Sequence, residues 1–221
     1  MRIVVLGVMD NHHNCWHCGT PDAGSIFCRY CNSLQAPVPD YFEFFGIPRQ
    51  LSLDVARLQK QFYTLSGLLH PDRYTRRSEQ EKRYSLEASS ILNDAYRVLR
   101  DPIQRAEYVL KEAGFDIGEQ RTKDVPPELL EEVFELNLAL DELRMGDEEV
   151  LPQLDESRRK FLDILVEMDG GLQEQFRKHD AQESGEARRA VLAEIRLTLN
   201  RRRYIKNLVN EVDKLLTARN A

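Results

Sequence analysis

The sequence predicts an all-α body, a helical hairpin followed by a C-terminal three-helix bundle, preceded by a small ribbon-like element that holds cysteines. Three observations carry this expectation. Beyond residue 50, apolar residues recur at steps of three and four, the spacing of one buried helix face. Nothing alternates apolar with polar over the length of a strand outside the cysteine region. All four cysteines fall between positions 15 and 31, and the 190 residues after them hold none. A disulfide framework spreads its cysteines through the fold it staples, so this cluster indicates a different use.

Residues 1–36 form the tetracysteine element, and Ala36-Pro37-Val38-Pro39 reads as a short stiff linker, because two prolines disfavour helix on both sides. Leu58, Phe62, Leu65 and Leu69 then mark one face of a helix from about Leu53 to Leu69. A second helix, about Gln80 to Arg100, has Ala88, Ile91, Leu92, Ala95, Val98 and Leu99 as its stripe. Asp101-Pro102 starts another, with proline at the first position, where a missing N–H costs nothing. These helices make a domain over 40–113, and Gly114, Gly118, Pro126 and Pro127 mark a linker over 114–127. The last domain, 128–221, opens with a helix bearing Leu129, Val133, Leu136, Leu140 and Leu143 and stops at Met145-Gly146-Asp147. Gly170-Gly171 is expected to break the helix that follows, and Ala187 to Leu216 reads as one long final helix.

Composition narrows the function. The chain has 221 residues, enough for one domain or two smaller ones with cores of their own. A net charge of −6 argues against a general nucleic-acid binder, whose footprint is basic. The longest uncharged apolar run, Ile3 to Met9, is far short of the ~20 residues of a membrane helix. It also lacks a small-residue cleavage site, and the start lacks the Arg- and Ser-rich pattern of a transit peptide. The expected location is cytoplasmic, with the mitochondrial matrix as the alternative for a eukaryotic source. No nucleic-acid or membrane partner is expected, and at most a weak homo-oligomer.

Cys15-x-x-Cys18 and Cys28-x-x-Cys31 are separated by nine residues. Each pair suits a tight turn that aims two thiolates at one point, and two such turns complete a tetrahedral S₄ site. Zinc or an iron–sulfur centre fits that donor set in a reducing compartment, and zinc is the expected ion. Four thiolates leave no open position for water, which favours a structural role. His12, His13 and His17 lie nearby but are read as solvent-facing.

His70-Pro71-Asp72 follows the Leu69 helix end directly, then Arg73 and Tyr74. No nucleophile or phosphate-cradling glycine loop accompanies it, so as an enzyme site it is poor. Its position, at the tip between two helices that would pack antiparallel, gives it weight. From Asp40 to Tyr108 the chain resembles a J-domain: Asp40-Tyr41-Phe42, the Leu51-to-Leu69 helix, His70-Pro71-Asp72, and Asn93-Asp94-Ala95-Tyr96-Arg97-Val98-Leu99 before Asp101-Pro102 and Arg105. Arg105 to Leu110 with Gly114-Phe115-Asp116 is similar to the HscB-type iron–sulfur co-chaperone family. The double-CxxC element with Leu34 to Pro37 is similar to the longer, eukaryotic-type members.

The resemblance implies an adaptor without catalytic residues of its own. It would bind an ATP-loaded DnaK/HscA-type chaperone and speed ATP hydrolysis. His70, Pro71 and Asp72 would carry the trigger, Asp72 pairing with an arginine of the chaperone, with Arg57, Lys60 and Arg73 as basic contacts. Many J-domains have a denser basic face on that helix than this one.

The 128–221 block carries 21 acids against 15 bases. Its first helix has more apolar residues than one buried stripe needs, with Leu130, Phe134 and Leu138 at steps of four among acids. An extra apolar row of this kind suits a partner surface. The resemblance implies that Leu130, Phe134, Glu135, Leu138 and Glu142 contact an IscU-type iron–sulfur scaffold protein, with Tyr204 as an aromatic contact from the last helix. Glu131 and Leu138 depart from the family pattern, which often has an apolar residue and an acid there. Arg201-Arg202-Arg203 reads as a solvated helix side that can pair with neighbouring acids. Two rival readings stand beside this one: a J-domain co-chaperone with other clients, and a metal or redox protein centred on the cysteines.

Overall fold

The computed structural model describes residues 13–22, 25–116 and 129–219. These group into two compact units: residues up to Arg49 with Leu53–Asp101, and Gln50–Ser52 with Pro102 onward. Most of the expected 114–127 linker, Glu128 and the apolar run Ile3 to Met9 lie outside the described residues.

The first unit begins with a two-residue antiparallel pair, β1 (His13–Asn14) and β2 (Pro21–Asp22), and an isolated bridge between Phe27 and Leu34. Helix α1 (Tyr41–Phe45) starts where the Asp40 carboxylate accepts the Glu43 N–H at 2.9 Å, and it stops at Gly46, whose φ of 62° lies in the left-handed region. Helix α2 (Val55–Leu69) starts two residues after the expected Leu53, because Asp54 is its N-cap and accepts the Arg57 N–H at 3.0 Å. A 3₁₀ turn (Pro71–Tyr74) leads to α3 (Glu79–Arg100), capped by Ser78 on the Glu81 N–H. Leu58, Leu69, Ala88, Leu92, Ala95 and Leu99 are buried with Phe42, Phe44 and Phe45. Phe62 stacks on Tyr96 with ring centroids 4.2 Å apart, tying α2 to α3.

The second unit contains α4 (Pro102–Glu112), α5 (Leu130–Arg144), α6 (Leu151–Asp180) and α7 (Gly185–Arg219). Its core is built from Val133, Leu136 and Leu140 of α5, Leu154, Phe161 and Leu165 of α6, and Ile205, Val209 and Val212 of α7. The expected break at Gly170-Gly171 does not occur, and α6 runs through both residues. Phe161 and Leu165 before the pair and Leu172 and Phe176 after it are buried on one face. Burying those four side chains outweighs the roughly 1 kcal/mol that each glycine costs a helix interior. The arginine triplet is partly paired: Arg202 reaches Asp169, and Arg203 reaches Glu107 on α4.

Candidate functional site

The His70-Pro71-Asp72 turn is positioned by satisfied backbone at the end of α2. The Leu69 carbonyl, which has no partner within the helix, accepts the hydroxyls of Ser85 at 2.7 Å and Ser89 at 3.0 Å from α3. The Tyr74 hydroxyl donates to the Leu68 carbonyl at 3.1 Å, and Arg73 donates to that of Gly67 at 3.1 Å. Burial raises the pKa of the Tyr74 phenol, which keeps it a donor. Pro71 opens the 3₁₀ turn, and the Asp72 N–H donates to His70 Nδ1 at 3.3 Å. The Asp72 carboxylate is left in solvent, its side chain 87% exposed, 3.5 Å from His70 Nδ1. A carboxylate held by a rigid turn yet exposed can take a guanidinium from another molecule. Arg57 and Lys60 are exposed on the N-terminal half of α2, about 20 and about 15 Å along the helix axis from the turn.

The four cysteine sulfurs lie within 4.8 Å of one another. Cys15 Sγ is 3.6 Å from Cys31 Sγ, and Cys18 Sγ is 3.8 Å from Cys28 Sγ. A tetrahedral ion with metal–sulfur bonds of about 2.3 Å sets its thiolates about 3.8 Å apart, so the donor set fits one such ion. The two CxxC turns repeat each other. The Gly19 N–H donates to the Cys15 carbonyl and the Asn32 N–H to that of Cys28, both at 2.9 Å. Gly19 and Asn32 both have positive φ, at 73° and 58°. The His17 and Tyr30 amides donate to the Cys15 and Cys28 sulfurs at 3.4 Å. The hydroxyls of Thr20 and Ser33 lie 3.3 and 3.4 Å from the Cys18 and Cys31 sulfurs. Sequence reasoning missed Thr20 and Ser33, although the parallel strings Cys-x-x-Cys-Gly-Thr and Cys-x-x-Cys-Asn-Ser contain the signal.

These surroundings split the thiols. Burial pushes Cys15 up, but the Cys18 and His17 amides more than reverse it and bring it down to about 6. The Cys31 amide acts downward on Cys28, yet burial and the neighbouring Cys31 and Cys15 sulfurs outweigh it and push that thiol up to about 12. Thiolates this close repel, and a bound dication removes the conflict.

On α5 the expected partner residues divide by face. Leu130, Phe134 and Leu138 are 53%, 69% and 51% exposed, while Val133, Leu136 and Leu140 are buried beneath them. Glu135 is exposed and Glu142 half-buried. Met145, just past the helix, is 86% exposed, and its register extends the same row. Tyr204 is partly buried against the core of the unit, and burial raises the pKa of its hydroxyl.

A helical hairpin presenting His-Pro-Asp at its tip is the architecture of a J-domain protein, and residues 40–108 match the DnaJ domain family. The chain belongs to the HscB co-chaperone family. It is 33% identical over 182 residues to the co-chaperone protein HscB homolog of Vibrio campbellii, covering 80% of this chain and 99% of that one. It is 38% identical over 138 residues to the human iron-sulfur cluster co-chaperone protein HscB, spanning 60% of this chain and 59% of that relative. The crystal structure of the human co-chaperone superposes with a TM-score of 0.68 at 28% identity, covering 91% of this chain and 97% of that one. Among the described residues no helix is long and apolar enough to cross a membrane.

Proposed function

We propose that this chain delivers an iron–sulfur scaffold protein to a DnaK/HscA-type chaperone and stimulates its ATPase, with no catalytic residue of its own. The observation that carries this reading is that one chain has both an exposed Asp72 on a fixed turn and an exposed apolar row on α5. The row is flanked by acids, and it suits a scaffold surface that is apolar at its centre and basic at its rim. The chemistry of ATP hydrolysis then belongs to the chaperone, whose state this chain shifts by binding.

Cys15, Cys18, Cys28 and Cys31 would hold a structural zinc ion, which supplies the countercharge that closes the two turns. A reducing compartment, bacterial cytoplasm or mitochondrial matrix, keeps such thiols available. The domain reading that follows is a metal element at 1–36, a J-domain at 40–113 and a scaffold-binding domain at 128–221.

Calorimetric titration of an IscU-type scaffold into the full chain tests the reading. Saturable micromolar binding that Leu130→Ala with Phe134→Ala weakens supports it, and no binding to a scaffold from the same organism removes the client.

A further inference from the structure

The first unit contains an open cavity of about 720 Å³ lined by α1, by α2 and by Ser25-Ile26-Phe27 of the cysteine element. Its walls are apolar where Ile26, Phe44 and Leu65 meet. Arg57 and Lys60 stand at its α2 side, and neither has an ion-pair partner among the described residues. Gln61, next to Lys60 and one turn after Arg57 on the helix, has its side-chain oxygen buried without a hydrogen-bond donor. Leaving a buried acceptor unsatisfied costs free energy, and covering the solvent-open apolar wall with a partner side chain gains it.

A ligand that completes this site needs a carboxylate for the two cations, an N–H for the Gln61 oxygen, and an apolar side chain for the Ile26–Leu65 wall. A polypeptide segment with an acidic residue beside an apolar one meets all three, since its backbone supplies the N–H. We infer that the cysteine element is part of the chaperone-docking surface: the cavity takes an acidic-apolar segment of the partner ATPase, gripped between α2 and Ser25–Phe27. This rests on the reading of the chain as a chaperone adaptor. It adds an apolar site bounded by an element that lies outside the residues matching the DnaJ domain. It also compensates for an α2 whose cations are few, because an apolar side chain held in the cavity supplies the affinity that a denser basic face would.

The test is the concentration of full chain giving half-maximal stimulation of an ATP-loaded HscA-type chaperone. Three variants of the full chain are compared: Ser25→Trp and Ile26→Glu on the cysteine element, and Thr64→Trp on the exposed side of α2. Bound metal and helical circular dichroism are checked for each. All three variants are expected to raise that concentration about tenfold or more, the loss of one buried apolar side chain. Wild-type values for Ser25→Trp and Ile26→Glu, with metal content intact, overturn the inference. A rise in affinity in the same variants overturns it too, because a segment of this chain would then already fill the cavity. Asp72→Asn separates the two levels: if it stimulates like the wild type, the chaperone reading itself fails, whatever the cavity variants do.

Discussion

The hydroxyl of Ser85 donates to the carbonyl oxygen of Leu69 across 2.7 Å, with the serine fully buried, and this bond joins the second turn of α3 to the end of α2 at the tip of the hairpin. Leu69 is the last residue of α2, so its carbonyl would otherwise face the interior unpaired. His70 follows at once, and the direction of the His-Pro-Asp turn is therefore set by a side chain on α3. Ser85→Ala with Ser89→Ala should destabilise the first unit by about 1–3 kcal/mol, since both donors to one buried acceptor are lost. It should also lower chaperone stimulation before the unit unfolds. Urea denaturation and an ATPase titration on the same samples check both; unchanged stability would refute the capping role.

Asp72 behaves differently, because its carboxylate is exposed and its side chain holds up nothing in the core. Asp72→Asn should leave the unfolding free energy from urea denaturation within about 0.5 kcal/mol of the wild type and remove stimulation of the chaperone ATPase. Stimulation at the wild-type level would end the assignment of this turn.

The two helices of the hairpin are legible in the sequence because their apolar spacing is dense, whereas their first residues are set by the caps Asp54 and Ser78, which periodicity does not register. The exposed row on α5 was legible for a related reason: Leu130, Phe134 and Leu138 exceed what one buried face of a helix requires. Gly170-Gly171 misled, because helix propensity is a local quantity and the buried Phe161, Leu165, Leu172 and Phe176 lie on either side of the pair. The cavity beside Ile26 could not be read at all, since it depends on how the cysteine element folds against α1 and α2. The grip of Asp180 on Leu51 and Ser52, from some 130 positions away, leaves no periodic trace either.

Truncating the apolar row has a size that burial sets. If the scaffold covers Leu130 and Phe134, the double alanine variant loses two anchors, each worth about 1–3 kcal/mol, and scaffold affinity should fall at least tenfold. Both side chains are largely exposed, so helical content should not change. Met145→Ala tests whether the row continues past the helix; a smaller but measurable loss is expected. Calorimetry decides, and an unchanged Kd in the double variant would withdraw this face.

Trp16 is the single tryptophan and lies inside the first CxxC turn, which makes metal loading visible. Its indole N–H donates to the Leu34 carbonyl at 2.7 Å, and its ring meets Tyr84 of α3 edge-on at 6.3 Å. Chelating the ion under reducing conditions, or replacing Cys28 by serine, should release both contacts and shift Trp16 emission to the red. The helical signal should stay nearly constant, because no helix contains a cysteine. Emission that does not respond to chelation would mean that the element holds its shape without metal.

Asp180 gives the second unit an acid sensitivity whose sign is fixed. Burial works to raise its pKa, but His179 Nδ1 at 2.9 Å and the amides of Leu51 and Ser52 at 2.8 and 2.7 Å outweigh it, and the carboxyl ends below its ordinary value of 3.8. A depressed folded-state pKa means that the carboxylate contributes stability in full above about pH 4, its unfolded range. That contribution is lost as the pH falls through the lower folded-state value. Asp180→Asn should therefore be less stable than the wild type at pH 7, and the difference should shrink progressively below about pH 4. Amide hydrogen exchange at Leu51 and Ser52 reads this locally: protection should drop in the variant at neutral pH and converge with the wild type in acid. A deficit that stayed constant down to pH 2 would show that the carboxylate's charge is not what holds those two amides.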